Sequence, residues 1–456
     1  MAPKFGTSGL RGLVSELTDA LVADYVTAFC RACDTGPALY LGRDLRESSP
    51  RIAAAATEAA RACGIDVVDC GVLPTPALAL AAGAAGAGAI MVTGSHIPAD
   101  RNGLKFYTPA GEITKDDEAA ITASLGSGAP EDAPGRLSAA DALGAYRDRY
   151  LSAFGPGALA GLRLGIYQHS SVARDVLAEI VSALGAEAVP LARSEVFVPV
   201  DTEAVDPDTR SQLVRWTADN GLNAILSTDG DGDRPMLTDG TGRLVPGDIL
   251  GPLAARFLGA RRIVTPVSSN SAVDGMGFDS VTRTRIGSPF VIAGMQEVGG
   301  AVAGYEPNGG FLLGFEAEGP AGTLAPLTTR DCALPMIAAL AMAWAEGTDL
   351  AGLRAALPPR FTAADRLQGV ATPAATALIA ALTRSAPARA DFFDAGAETG
   401  LDLTDGLRVS FEGGEVVHLR PSGNAPEFRV YAEAATEDRA AALVARHMEI
   451  VKARLA

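Results

Sequence analysis

Residues 93–107, Thr-Gly-Ser-His-Ile-Pro-Ala-Asp-Arg-Asn-Gly-Leu-Lys-Phe-Tyr, carry a hydroxyl, an imidazole and an ammonium within one short stretch. The apolar step Ala89-Ile90-Met91-Val92 precedes it and reads as a short buried strand. The chain then changes to Thr, Gly, Ser, Pro, Asp and Asn, which are turn residues. A loop leaving a buried strand presents reactive groups on a rigid support, so Ser95 is a candidate nucleophile. Asn102-Gly103 predicts a tight turn that returns Lys105 toward the serine. His96 follows Ser95 directly. In an extended chain the two side chains point to opposite sides, which makes His96 a poor direct base for Ser95. A capping serine in an ordinary polar loop is the competing reading.

A second chemical stretch follows another short apolar strand, Ala224-Ile225-Leu226-Ser227. It reads Thr228-Asp229-Gly230-Asp231-Gly232-Asp233-Arg234. Carboxylates at alternate positions between glycines converge on a cation or else repel one another. Oxygen ligands alone suit Mg²⁺, which keeps open positions for a phosphate oxygen. An EF-hand does not fit, because Arg234 stands at its glycine position and Gly240 at its closing Glu. A plain Asx-rich hairpin is the alternative.

Other segments suit anions and sugars. Phe5-Gly6-Thr7-Ser8-Gly9-Leu10-Arg11-Gly12 brings backbone N–H groups and one guanidinium together. Gly287-Ser288 reads as a strand-to-helix turn, a plausible phosphate contact. Glu306 and Asn308, in Tyr305-Glu306-Pro307-Asn308-Gly309-Gly310, offer donors and acceptors for sugar hydroxyls. Spacing alone fits a Pro-Gly turn there equally well. Arg420 and Arg429 flank the turn Ser422-Gly423-Asn424, which makes an anion cradle.

The elements that must hold these loops alternate. Helices are expected at 17–34, 50–63 and 77–86, with strands at 38–42, 67–68 and 89–92 between them. A second run has a strand at 162–167, helices at 172–184 and 208–220, and strands at 188–189 and 224–227. A third starts near Gly247, with a strand at 262–266 and a helix at 331–345. After Leu357-Pro358-Pro359 the pattern changes to a helix at 374–383, strands at 407–411, 415–419 and 428–433, and a helix at 437–453. Alternating strands and helices predict α/β units with largely parallel sheets.

At 456 residues the chain is long enough for two to four domains. Its formal charge of −16 disfavours nucleic acid and anionic membranes as partners, since both need clustered Lys and Arg. A phosphate substrate would have to be caught by local groups. Five cysteines, an odd number, fit a reducing compartment. Cys30 and Cys33 have C-x-x-C spacing but lie in an apolar helical pattern, which disfavours a metal or redox role. The N-terminus lacks the apolar core of a signal peptide, and a cytoplasmic location is the expectation. The chain has neither a P-loop nor a G-x-S-x-G elbow.

Taken in order, FGTSGLRG at 5–12, GRDLRESS at 42–49, TGSHIPADRNGLK at 93–105, DGDGDR at 229–234, GYEPNGG at 304–310 and RPSGNAPEFRVY at 420–431 resemble the α-D-phosphohexomutases, the phosphomannomutase/phosphoglucomutase group. The resemblance spans nearly the whole chain. It implies three related α/β domains with mixed sheets and a smaller C-terminal α+β domain around a central cleft. The corresponding divisions are 1–155, 156–246, 247–359 and 360–456. It implies that Ser95 is the phosphoserine and that Asp229, Asp231 and Asp233 hold Mg²⁺ with a phosphoserine oxygen. Arg11, Lys105 and Arg234 become cleft cations, Lys105 with an acid/base part and His96 beside it. Glu306 and Asn308 become the sugar loop, and Arg420, Ser422, Gly423, Asn424 and Arg429 the clamp for the phosphate not being transferred.

The implied reaction interconverts hexose 6-phosphate and hexose 1-phosphate through a hexose 1,6-bisphosphate, with mannose the first expectation. Phosphoglucomutase and phosphoglucosamine mutase activities are the alternatives within the class. A metal-dependent phosphohydrolase and a non-catalytic sugar-phosphate binder are the alternatives outside it. The expected partner is a phosphosugar, and the expected assembly a monomer or dimer. Three positions depart from the family's usual pattern. Ile97 stands where Asn is usual, Asn308-Gly309-Gly310 where Ser-Gly-His is usual, and Asn424-Ala425 where Thr-Glu is usual. They bear on which sugar is read.

Overall fold

The computed structural model describes residues 3–6, 9–128, 133–421 and 427–455. Its first three sheets repeat one winding. In the first, strand Leu39–Arg43 lies between Val67–Val72 and Gly88–Val92 and is parallel to both. Arg101–Thr108 then runs antiparallel to Gly88–Val92. In the second, Arg163–His169 lies between Glu187–Arg193 and Ala224–Thr228, parallel to both, and Pro235–Thr238 returns antiparallel. In the third, Arg262–Pro266 lies between Ser280–Thr284 and Val302–Tyr305, parallel to both, and Phe311–Leu313 returns antiparallel. The sheets are therefore mixed. Crossover α-helices join their parallel strands, except that Arg262–Pro266 reaches Ser280–Thr284 through the short 3-10 turn Ser271–Gly275.

Local chemistry explains where these helices start. Thr18 caps helix Asp19–Ala32 by accepting from the Leu21 N–H, and Asp206 caps Pro207–Asn220 by accepting from Thr209. The Ala-rich run 77–92 divides into helix Thr75–Ala84 and the wholly buried strand Gly88–Val92. Gly86, at φ +59°, makes the break.

Asn102-Gly103 is not the tight turn its composition predicts. Both residues lie inside strand Arg101–Thr108, which pairs with Gly88–Val92 on one side and Leu10–Leu13 on the other. The Asn102 amide donates to the hydroxyls of Ser48 and Ser49 at 2.9 and 3.0 Å. A Cβ on Gly103 would meet the Leu10 carbonyl oxygen at 2.1 Å. Gly103 is thus needed for close strand approach, and Asn102 for a buried side-chain bond.

The fourth sheet is antiparallel throughout, in the order Phe361–Gln368, Glu427–Ala434, Val416–Pro421, Leu407–Phe411 and Glu398–Asp402. Inward residues such as Val409, Leu419 and Val430 pack with Leu382, Phe393 and Leu443 of the helices in a core of their own. A different apolar cluster runs continuously through the first three units, from Leu73 to Leu357, around helix Ala333–Ala345.

Candidate active site

The common winding makes three loops equivalent. Each connects the third strand of its sheet to the antiparallel fourth. They are the Ser95 loop between Val92 and Arg101, the Asp229–Asp233 loop between Thr228 and Pro235, and the Glu306–Asn308 loop between Tyr305 and Phe311. All three sit at the carboxyl ends of parallel strands, where α/β sheets gather their ligands.

Ser95 adopts φ +52°, a left-handed conformation uncommon for a residue with a Cβ. Its N–H donates to Thr93 Oγ1 at 2.7 Å. The loop is wrapped around one buried guanidinium. Arg46 gives Nη1 to the carbonyls of Pro98 and Arg101, Nη2 to those of Ser95 and Ile97, and Nε to Asp44. Every donor of the guanidinium fork is used. Asp44 also accepts from Thr93 Oγ1 and Ser49 Oγ, and Phe197 of the second unit lies under the guanidinium at 3.9 Å. A Cβ on Gly94 would be 2.6 Å from Arg46 Cζ, so this glycine admits the clamp.

This geometry corrects the expected separation of Ser95 from His96. The chain is not extended there, and Ser95 Oγ lies 3.3 Å from His96 Nδ1. That nitrogen accepts from Arg234 Nη1 at 3.0 Å. Burial, then the charges of Arg234 and Arg11, push the imidazole well below its ordinary value, so it is neutral. The Ser95 hydroxyl donates to Asp229 Oδ2 at 2.5 Å.

Asp229, Asp231 and Asp233 are fully buried, and their ligand oxygens lie within 4.8 Å of one another. Asp231 Oδ2 accepts from Lys105 Nζ at 2.6 Å and from Thr75 Oγ1 at 2.8 Å. Asp233 Oδ2 accepts from Lys105 Nζ at 2.5 Å and from Arg330 Nε at 3.0 Å. Burial raises the Asp231 carboxyl, but Lys105 and Thr75 hold it below its usual value. The Asp231 Oδ1 and Asp233 Oδ1 atoms are buried without a hydrogen-bond partner. Two orphaned carboxylate oxygens beside a third carboxylate fit a hard divalent cation, which would satisfy both. The buried Nε atoms of Arg11 and Arg234 also lack partners, and an anion would satisfy those. Arg11 Nη1 donates to the Gly94 carbonyl at 2.9 Å, and burial lowers its guanidinium to about 10.

Of the residues singled out in the sequence, Ser95, His96, Lys105, Arg11, Arg234 and the three aspartates form this one cluster. Glu306 joins it through Arg330, whose Nη1 donates to Glu306 Oε2 at 3.3 Å. Asn308 lies on the same turn, where its Oδ1 accepts from the Gly310 N–H. The remaining residues sit elsewhere. Ser288 donates to Glu112 Oε2 at 3.0 Å, and Gly287 caps helix Ser288–Val298 at φ +134°. Arg420 Nε donates to Asp405 Oδ2 at 2.8 Å, and that same oxygen accepts from the Ile286 N–H. Arg429 is the cross-strand partner of Arg420. Ser422, Gly423 and Asn424 lie outside the described residues.

Sequence reasoning missed Arg46, Thr75, Arg330 and Asp405. Arg330 carried a usable signal, because it precedes a helix that is apolar on every side, Ala333–Ala345. An arginine entering such a helix must itself be buried and needs a carboxylate.

Residues 2–131, 148–242, 246–361 and 366–450 match domains I, II and III (alpha/beta/alpha) and the C-terminal domain of the phosphoglucomutase/phosphomannomutase family. A phosphomannomutase of Sinorhizobium fredii is 45% identical, with 100% of each chain covered. One of Salmonella muenchen is 41% identical over 99% of this chain and 96% of its own. A phosphoglucomutase/phosphomannomutase family protein of Burkholderia thailandensis shares the fold with a TM-score of 0.80, at 23% identity over 98% of this chain and 97% of that one. No helix among the described residues is long and apolar enough to cross a membrane. With four domain matches in order and full-length relatives at this identity, the chain belongs to the phosphoglucomutase/phosphomannomutase family of α-D-phosphohexomutases.

Proposed function

We propose that this chain is an isomerase that interconverts hexose 6-phosphate and hexose 1-phosphate, with mannose phosphate preferred. The observation that carries the reading is the seat of Ser95, a hydroxyl on a clamped loop 2.5 Å from the first of three buried aspartates. Three cations, Arg11, Lys105 and Arg234, surround it. Phosphoryl transfer needs positioning and charge neutralisation more than covalent machinery, and this cluster offers both.

In the proposed cycle phosphorylated Ser95 gives its phosphoryl group to the free hydroxyl of the sugar phosphate, which forms a hexose 1,6-bisphosphate. The sugar turns over in the cleft. Its other phosphoryl group returns to Ser95, which regenerates the phosphoserine and frees the isomeric monophosphate. Lys105 takes part in the accompanying proton transfer. Neutral His96 holds Arg234 toward the transferring group. Glu306 and Asn308 read the sugar hydroxyls. The Gly287-Ser288 turn, at the start of helix Ser288–Val298, supplies a phosphate contact. Arg420 and Arg429, with Ser422, Gly423 and Asn424, hold the phosphate that is not transferred. Asp229, Asp231 and Asp233 with a phosphoserine oxygen would hold Mg²⁺, which when bound adds charge neutralisation at the transferring group.

The preference for mannose is supported by the full-length relative named a phosphomannomutase at 45% identity. The divisions 1–155, 156–246, 247–359 and 360–456 belong to the same proposal. So does a cytoplasmic setting, which is supported by five cysteines that all stand as thiols.

The test is phosphate mapping. Protein incubated with a hexose 1,6-bisphosphate should gain one phosphate, on the peptide containing Ser95. Ser95→Ala should lose transfer between mannose 1- and 6-phosphates while still unfolding cooperatively, since it removes one hydroxyl and no apolar packing. A phosphate mapped to another residue, or free phosphate as the main product, would overturn the reading.

A further inference from the structure

The Asp229–Asp233 loop belongs to the second unit, yet the groups that hold its central aspartate come from the first. Strand Val67–Val72 ends at Leu73-Pro74, and helix Thr75–Ala84 starts at once, with Pro76 in its first turn. A residue at the start of a helix has an N–H without a partner inside the helix. That of Thr75 donates to the Asp231 carbonyl at 2.9 Å. The Thr75 hydroxyl donates to Asp231 Oδ2 at 2.8 Å, across 156 residues of chain. Thr75 thus grips Asp231 at backbone and side chain together, and it is wholly buried.

The grip is a rigid one. Ala77, Leu78 and Ala82 of the helix are buried in the same apolar cluster as Ala173, Leu226 and Leu237 of the second unit. Pro74 lies against the loop at Gly232, where a Cβ would stand 3.1 Å from Pro74 Cβ. Branching at Cβ restricts χ1 of Thr75 and so fixes where its hydroxyl points. Lys105, also of the first unit, donates to the same Asp231 Oδ2 at 2.6 Å. Two donors therefore hold one oxygen of this carboxylate, and the other, Oδ1, is left buried and unpartnered.

Such a carboxylate suits one hard cation better than another. Mg²⁺ demands near-ideal octahedral geometry, whereas Ca²⁺ accepts carboxylates through one oxygen or two and tolerates irregular sites. We infer that Thr75 is a positioning residue for metal selection: by holding Asp231 Oδ2 it presents Oδ1 alone and in one direction, which favours Mg²⁺ over Ca²⁺. Without the hydroxyl, Asp231 keeps only Lys105, a point charge that it shares with Asp233. An ammonium without a fixed fork does not stop a carboxylate from turning to offer both oxygens. The inference rests on the metal reading of the Asp229–Asp233 loop and on no later step of the proposed cycle.

The experiment titrates MgCl₂ and CaCl₂ calorimetrically into full-length wild type, Thr75→Val and Thr75→Ser, each freed of metal with chelator and checked for its unfolding temperature. Thr75→Val keeps the shape but loses the hydroxyl. It should weaken Mg²⁺ binding about tenfold and Ca²⁺ binding less than about threefold, so that the preference for Mg²⁺ falls. Thr75→Ser keeps the hydroxyl and should keep most of the preference. Thr75→Ala removes the same hydroxyl and serves where Thr75→Val does not fold. A wild type that prefers Ca²⁺ would overturn the inference. So would a Thr75→Val protein that loses both ions equally or neither, which would make Thr75 a contact between units and nothing more, with the metal reading intact. A wild type that takes up neither ion would overturn both. A wild type with the expected dependence on Thr75 that does not turn over hexose phosphates would sink the mutase reading and uphold this one.

Discussion

Among single residues, the aspartates are the sharpest point of test. Asp231 has one oxygen bonded to Lys105 and Thr75 and one buried oxygen bonded to nothing. Replacing it with asparagine keeps the volume but removes a charge from a hard-cation site. Asp231→Asn should weaken Mg²⁺ binding at least about tenfold. Activity should fall at limiting Mg²⁺ and recover in part as Mg²⁺ is raised. Calorimetric titration of Mg²⁺ into both proteins, with activity after chelation, measures this. Unchanged affinity, or full activity of exhaustively chelated wild type, would remove the loop from any metal role.

At the scale of elements, the repeated strand–loop–strand unit accounts for why the site exists where it does. Each parallel strand ends in a polar loop, and the antiparallel return strand anchors the far side of that loop. The Ser95 loop needs more than this anchoring, and Arg46 supplies it through four loop carbonyls. Without the guanidinium the Ser95 and Ile97 carbonyls would lose their donor, and Asp44 would lose its counter-charge while keeping Ser49 and Thr93. Arg46→Ala should therefore cost about 3–5 kcal/mol of stability, the range for breaking a buried pair. Arg46→Lys keeps the charge but cannot fill the fork, so it should lower kcat more than it raises KM. Urea unfolding and steady-state kinetics read both effects. A wild-type kcat in Arg46→Lys would mean that the loop holds its shape without the clamp.

For the whole molecule, the distribution of cores decides what can move. The first three units share one apolar cluster, and the fourth has its own. Hydrogen bonds join the third and fourth units. Ser271 bonds to Glu433, Asn270 to the Arg360 carbonyl, and Ile286 to Asp405. A polar joint lets the fourth unit shift at small cost, since water can replace these bonds. Arg420 is tied to that joint through Asp405. A phosphate held by Arg420 would draw the fourth unit over the cleft and exclude water. Arg420→Ala should cost about 2–3 kcal/mol of substrate binding, seen as a higher KM. It should also release a larger share of turnover as free phosphate. Kinetics with both products quantified tests this, and an unchanged KM and phosphate share would rule the clamp out.

The sequence by itself determined the local features. Apolar steps followed by turn residues marked the Ser95 and Asp229–Asp233 loops, Pro and Gly marked the Glu306–Asn308 turn, and alternation of strands and helices marked the α/β units. These are legible because turn chemistry and periodicity act over a few neighbouring residues. Only the tertiary structure decided the rest. Asn102-Gly103 reads as a turn locally, yet it lies within a strand, because Ser48, Ser49 and the Leu10 carbonyl come from elsewhere in the chain. An extended chain would point Ser95 and His96 apart, and φ +52° at Ser95 brings them together. Arg46 looks like an ordinary surface arginine until its partners are known, and the apolar helix after Arg330 marks that arginine as buried without saying which carboxylate it meets. Those partners are separated from them by 49–55 residues for the carbonyls around Arg46, and by 97 for Arg330 and Asp233. A buried charge is stable only beside its counter-charge and acceptors, and folding alone brings residues so distant in the chain to that spacing.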